Sequence, residues 1–126
     1  MRLTLILAFL ISSFAFGQKK ECDCAKFATG NFYTFGPDNN QHDTLYIIRT
    51  ATEQTEIFGD DYNRTHHVIW LTPCKFILRD YHITTTKKYH KTDAIIEIVE
   101  TANNDFIIKA WMPHRKKIFM TIYVLK

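Results

Sequence analysis

Three cysteines and six histidines are the residues of this 126-residue chain most able to do chemistry. Cys22 and Cys24 stand one residue apart in ECDCAKF, and Cys74 follows Pro73 in VIWLTPCKFIL. The Cys-x-x-Cys spacing of a zinc site is missing. As a disulfide framework the three allow three single pairings, and Cys22–Cys24 would close a very tight ring. Cys74 is therefore expected to bridge to the N-terminal segment, at either Cys22 or Cys24. Closing a loop of about 50 residues contributes roughly 4 kcal/mol in the chain-entropy account, a large share of a small domain's stability.

The histidines do not assemble a metal site on paper. His66 and His67 are adjacent, so on a strand they point to opposite faces and cannot share one ion. His82 and His90 flank one gap, with no carboxylate pattern to support them. Asp60-Asp61 in GDDYN reads as a hairpin turn, and Asn63-Arg64-Thr65 is a glycosylation acceptor that matters only in a eukaryotic secretory route. No metal and no cofactor are expected. Serine-nucleophile chemistry is excluded beyond the leader, because Ser12 and Ser13 are the chain's only serines. A cysteine nucleophile would need an unpaired thiol beside a histidine in an oxidising space. The chain reads as a non-enzyme.

The leader decides the compartment. Met1-Arg2 supplies a positive start, Leu3 to Ile11 is nearly all apolar, and Ala15-Phe16-Gly17 places small residues at the −3 and −1 positions of a cut. Residues 1–17 read as a secretory signal peptide; the run is too short for a membrane span. Lipidation is not expected, since Lys19, Lys20 and Glu21 precede Cys22 where a lipoprotein needs small apolar residues. The mature chain, 18–126, is then one domain, periplasmic or extracellular, with no transmembrane segment. Without Arg2 its charge is 15 basic to 13 acidic side chains, and the basic residues are scattered. No nucleic-acid footprint is present. The two basic clusters, Lys87–Lys91 and His114–Lys117, fall where loops are expected and read as solvated turns.

The elements that must position these residues are strands. Runs rich in Ile, Val, Thr, Tyr and Phe occupy Thr29–Phe35, Thr44–Thr50, Gln54–Phe58, Thr65–Leu71, Lys75–Arg79, Ala94–Thr101, Phe106–Met112 and Ile118–Leu125. Between them lie Gly36–Asn40, Gly59–Asn63, Ala102–Asp105 and Pro113–Arg115, with residue types that suit hairpin turns. The long gap Asp80–Asp93 is expected to hold a short helix or an irregular crossover. Alternation puts Phe106, Ile108, Ala110 and Met112 on one face, likewise Ile118, Met120, Ile122 and Val124, and Ala94, Ile96 and Ile98. The fold class is all-β: an antiparallel meander of about eight strands that curls into a small barrel or a flattened sandwich.

Several strands are apolar on both faces. Phe119 and Tyr123 oppose the Ile118/Met120 row, Trp111 opposes Phe106, and Trp70 alternates with Ile69 and Leu71. Either the Asp80–Asp93 segment covers this second face, or Trp70, Trp111, Phe119 and Tyr123 form a surface for a partner.

CAKFATGNFY, the Thr/Ile-rich strand ending at Arg49, and VIWLTPCKFIL together resemble a family of small exported β-rich proteins from Bacteroidota-type bacteria. Its Cys-x-x-Phe-x-x-Gly-x-Phe start falls on Cys24, Phe27, Gly30 and Phe32, and its Trp-x-x-x-Cys centre on Trp70 and Cys74. The resemblance covers most of Cys24–Leu78 and implies Cys24 as partner of Cys74, leaving Cys22 as an extra. It implies no activity. Some relatives carry the label DNA topoisomerase IV, which a chain this small, with no nucleotide site, does not support. Gly30-x-Phe32 also resembles the first-strand Gly-x-Trp of lipocalins, with a different aromatic, and implies a small lipocalin-like barrel. The expected function is an exported, non-enzymatic binding module, holding a small apolar ligand or docking on an envelope or exported protein. The alternatives are a structural envelope-associated protein or an inhibitor of an exported hydrolase.

Overall fold

In the computed structural model, residues 22–35, 44–113 and 115–126 are described. Eight antiparallel strands follow one another around a closed barrel. They are β1 (Gly30–Phe35), β2 (Thr44–Arg49), β3 (Glu53–Phe58), β4 (Tyr62–Thr72), β5 (Lys75–Asp80), β6 (Ala94–Thr101), β7 (Asp105–Trp111) and β8 (Ile118–Val124). The short β1–β8 pairing, Phe32 with Val124 and Tyr33 with Tyr123, closes the ring. Closure removes both sheet edges, and it settles the choice between barrel and flattened sandwich in favour of the barrel. The expected signal peptide, its cut before Gln18 and the Gly36–Asn40 turn lie outside the described residues.

Seven of the expected strands hold to within a residue or so at each end; β4 is the exception. The turn was expected to reach Asn63, but Tyr62 already pairs with Phe58 and Asn63 with Ile57. The reason is Gly59, whose φ of +60° lets the chain reverse within Gly59-Asp60-Asp61. The gap before β6 contains no helix and is irregular.

The faces are as alternation requires. Phe32, Phe76, Leu78, Ile96, Ile98, Phe106, Ile108 and Ile122 point inward and form one buried core. A 3-10 turn, Ala25–Phe27, plugs one end. Its Phe27 ring lies 4.7 Å from Phe106, which meets Phe32 edge-on at 5.3 Å. The Cys24–Cys74 disulfide ties this plug to the β4–β5 turn, across a separation of 50 residues and a Cα–Cα distance of 5.2 Å. This is the expected bridge. Cys22 remains a free thiol, directed at the carbonyl of Val99 at 3.3 Å, beside a bulge in β6. Gly30 needs its identity here: its φ is +142°, and a Cβ would come within 3.2 Å of the Phe32 ring folded over it.

The second apolar face is largely covered on β4–β6. Ile69, Ile77 and Ile95 lie side by side in register on the outside, yet all three are buried. The cover is the Asp80–Asp93 segment, and Arg79 shows how it is held. Arg79 also points outward but is 0% exposed. It grips Asp93 with two bonds, Nε to Oδ1 at 3.0 Å and Nη2 to Oδ2 at 2.9 Å. Its other guanidinium protons go to the carbonyls of Thr84, Thr86 and Lys88. All five donors of the guanidinium are thereby used. One outward side chain thus folds a segment without secondary structure onto the barrel wall.

Candidate binding site

Among the described residues, the barrel is filled at the plugged end and open at the other. Thr34, Phe35, Leu45, Glu56, Phe58, Tyr62 and Met120 line a cavity of about 300 Å³ at the open end. Inward-facing alternation puts Thr34, Leu45, Glu56, Phe58, Tyr62 and Met120 there, on β1, β2, β3, β4 and β8. An eight-stranded barrel has room for a filling of side chains or for one small ligand, and here the filling stops half-way. Phe58 and Tyr62 are exposed at the rim.

Behind this cavity runs a chain of polar side chains. Arg49 lies between the rings of Phe32 and Phe76, 5.1 and 4.7 Å from their centroids. Its Nη1 donates to the carbonyl of Phe27 in the plug at 2.9 Å, and its Nε to Gln54 Oε1 at 2.8 Å. Gln54 Nε2 passes the contact on to Glu56 Oε1 at 3.1 Å. Glu56 Oε2 then faces His66 Nε2 at 3.8 Å. Burial lowers the Arg49 pKa to about 10 against the opposing pull of Glu56, so the guanidinium stays charged at neutral pH. A buried cation and a half-buried carboxylate are bridged by an amide, and the carboxylate is the member that lines the cavity. The arrangement suits a ligand with an apolar body and one hydrogen-bond donor.

His66 and His67 diverge as adjacent strand residues must. His66 faces Glu56 inside; His67 stacks on Tyr81 outside, with ring centroids 4.9 Å apart, and its Nε2 lies 2.9 Å from the Tyr81 carbonyl oxygen. No group of three metal-ligating side chains exists among the described residues.

The four aromatic residues expected to form a surface are not brought together. Trp70 packs on Phe76 at the plugged end, ring centroids 4.8 Å apart, beside a shallow hollow it shares with Ala25, Ala28 and Pro73. Trp111, Phe119 and Tyr123 share the outer face of β7–β8 but lie at different heights. Tyr123 stacks on Tyr33 at 5.3 Å and 23° and, with Phe35 and Tyr46, lines an outer groove of about 700 Å³. Trp111 is half-buried among lysine side chains. Trp111→Ala is accordingly expected to cost about 1 kcal/mol of unfolding free energy, whereas Phe106→Ala in the core costs about 3–5 kcal/mol; denaturant titration of the two variants checks the difference.

The chain has no match among protein-family models, curated proteins or solved structures. The site is therefore read from its own geometry.

Proposed function

We propose that the chain is an exported, non-enzymatic binding module, periplasmic or extracellular, that holds one small and largely apolar ligand in the open end of its barrel. The observation that carries this reading is the half-filled interior, with Leu45, Phe58, Tyr62 and Met120 around a cavity of about 300 Å³ and Glu56 as its one carboxylate. That volume is at the lower end of the range for small-molecule sites. The disulfide supports an oxidising and hence exported setting. Two features support binding over catalysis. Arg49 and Gln54 behind the cavity are engaged in internal bonds, and no described cysteine, histidine or lysine lines it. The lipocalin-like Gly30-x-Phe32 pair is in keeping with the same use.

The test is binding of a neutral apolar amine, N-phenyl-1-naphthylamine, followed by its fluorescence. Met120→Trp puts bulk into the cavity that Met120 lines, so it is expected to weaken binding at least about 10-fold, with an unchanged far-UV spectrum showing the barrel intact; Glu56→Gln is expected to weaken it less. A second reading, docking of a protein on the outer groove of Tyr33, Phe35, Tyr46 and Tyr123, rests on the aromatic lining of that groove, of which Tyr46 is exposed. Binding unchanged by Met120→Trp but lost in Tyr33→Ala would favour it.

A further inference from the structure

Three ammonium groups converge on one indole ring at the open end of the barrel. The Nζ atoms of Lys75, Lys109 and Lys117 lie 5.4, 5.2 and 5.7 Å from the centroid of Trp111. The sheet explains the convergence. Lys109 lies two residues before Trp111 on β7 and so shares its outer face, Lys75 reaches across from β5, and Lys117 immediately precedes β8. Lys109 has Glu97 as a partner at 3.7 Å, while Lys75 and Lys117 have no ion-pair partner among the described residues. An indole face attracts a cation by only about 0.5–1 kcal/mol at an exposed site. It does not offset the mutual repulsion of three cations, so the cluster stands short of negative charge.

Apolar side chains are interleaved with this charge. Phe119, paired with Lys109 across β7–β8, is 64% exposed, and Ile118 is 59% exposed. Arg115, Lys116 and Lys117 run consecutively and exposed into them. Read from sequence, 114–117 was a solvated turn; the lysines gathered over Trp111 give it a face. A soluble anion would answer the charge but leave Phe119 and Ile118 in water. A lipid headgroup layer answers both, because rings and alkyl groups settle at the acyl boundary while lysine stems carry their charge out to phosphate. We propose that this corner of the barrel docks on an anionic phospholipid surface. Ile118 shares the inner face with Met120, which lines the cavity, so docking turns the barrel mouth toward the lipid. The docking site stands independently of what the cavity holds.

Vesicle co-sedimentation tests it, with phosphatidylglycerol against phosphatidylcholine vesicles. The full chain is used throughout, so that its apolar leader contributes equally to every variant. The unaltered chain is expected to prefer the anionic vesicles and to lose that preference as salt rises from low to several-fold higher concentration. Lys116→Gln/Lys117→Gln is expected to bind them about 30-fold more weakly, from roughly 1 kcal/mol per lysine near an anionic surface. Phe119→Ala is expected to weaken binding while leaving its salt dependence unchanged. Each variant keeps the thermal midpoint of the parent, since all three side chains are exposed. Equal binding of the parent and the double variant overturns the proposal. So does competition by soluble polyglutamate that Phe119→Ala leaves unaltered, which would instead mark an acidic protein partner. Neither result bears on N-phenyl-1-naphthylamine binding inside the barrel.

Discussion

Arg79→Met is expected to destabilise the barrel by about 3–5 kcal/mol, because it strands a buried carboxylate. Asp93 is fully buried and accepts from Arg79 through both of its oxygens and from the backbone N–H of His90 at 2.8 Å. With the guanidinium gone, the carboxylate keeps one bond, and the carbonyls of Thr84, Thr86 and Lys88 lose their shared donor. The loop should then lift from the wall and bare Ile69, Ile77 and Ile95. Removing both charges in Arg79→Met/Asp93→Asn is expected to cost less than the sum of the single changes, since neither partner is left charged alone. The same pair has a pH signature. Burial pushes the Asp93 carboxyl up, but the bonds from Arg79 and from the His90 N–H outweigh it and hold its pKa below the usual carboxylate range. The folded value thus lies below the unfolded value of about 3.9. The contribution is complete above that unfolded value and is lost as pH falls through the folded one. Asp93→Asn should flatten this acid limb in urea titrations run from neutral pH downward.

Cys24→Ala is the second large change, at about 4 kcal/mol from the closed loop alone. The disulfide is also the only covalent tie on the plug, whose Phe27 forms part of the barrel floor and whose carbonyl accepts from Arg49. Losing it frees the plug and exposes the core beneath. Cys22→Ala is expected to change stability by less than about 1 kcal/mol, because it removes a single weak thiol contact to Val99. Cys22 lies two residues from Cys24 and becomes a candidate substitute in the Cys24→Ala chain, so the Cys22→Ala/Cys24→Ala double variant gives the clean value. Urea unfolding of the three variants, with non-reducing peptide mapping of the parent, checks both size and pairing. Equal losses from Cys22→Ala and Cys24→Ala would contradict the assignment.

Strands were easy to read and charges were not. Alternation is a local property, so Phe106, Ile108 and Ile122 announced their inward face and nearly every strand boundary followed. The β4 start was missed because Tyr62 and Asn63 suit a turn or a strand equally, and Gly59 alone decides. Arg79 falls on the outer face of β5, opposite Phe76 and Leu78. Its burial depends on a segment that returns over it, and that contact is not encoded by any period. The hint was there in Ile69, Ile77 and Ile95, apolar residues on what should have been a wet face. The polar chain of Arg49, Gln54, Glu56 and His66 was illegible for the opposite reason. Gln54 and Glu56 face inward through the register of β3 with Arg49 and Ile47, and the run EQTEIF has no apolar alternation to mark that face. The cysteine pairing lay in between: spacing excluded one ring, and only the family resemblance chose Cys24. The surface of Trp70, Trp111, Phe119 and Tyr123 was assembled from residues sharing a character, and register distributes them over two faces and both ends.

The central claim is that the open end of the barrel is the ligand site, and methyl-resolved NMR during titration with N-phenyl-1-naphthylamine tests it most directly. The account predicts that the methyls of Leu45 and Met120 shift and saturate together, with Ile108 and Ile122 in the filled half nearly still. Shifts confined to Leu125 and Val124 beside the outer Tyr33–Tyr123 groove, with Leu45 and Met120 unmoved, would contradict it.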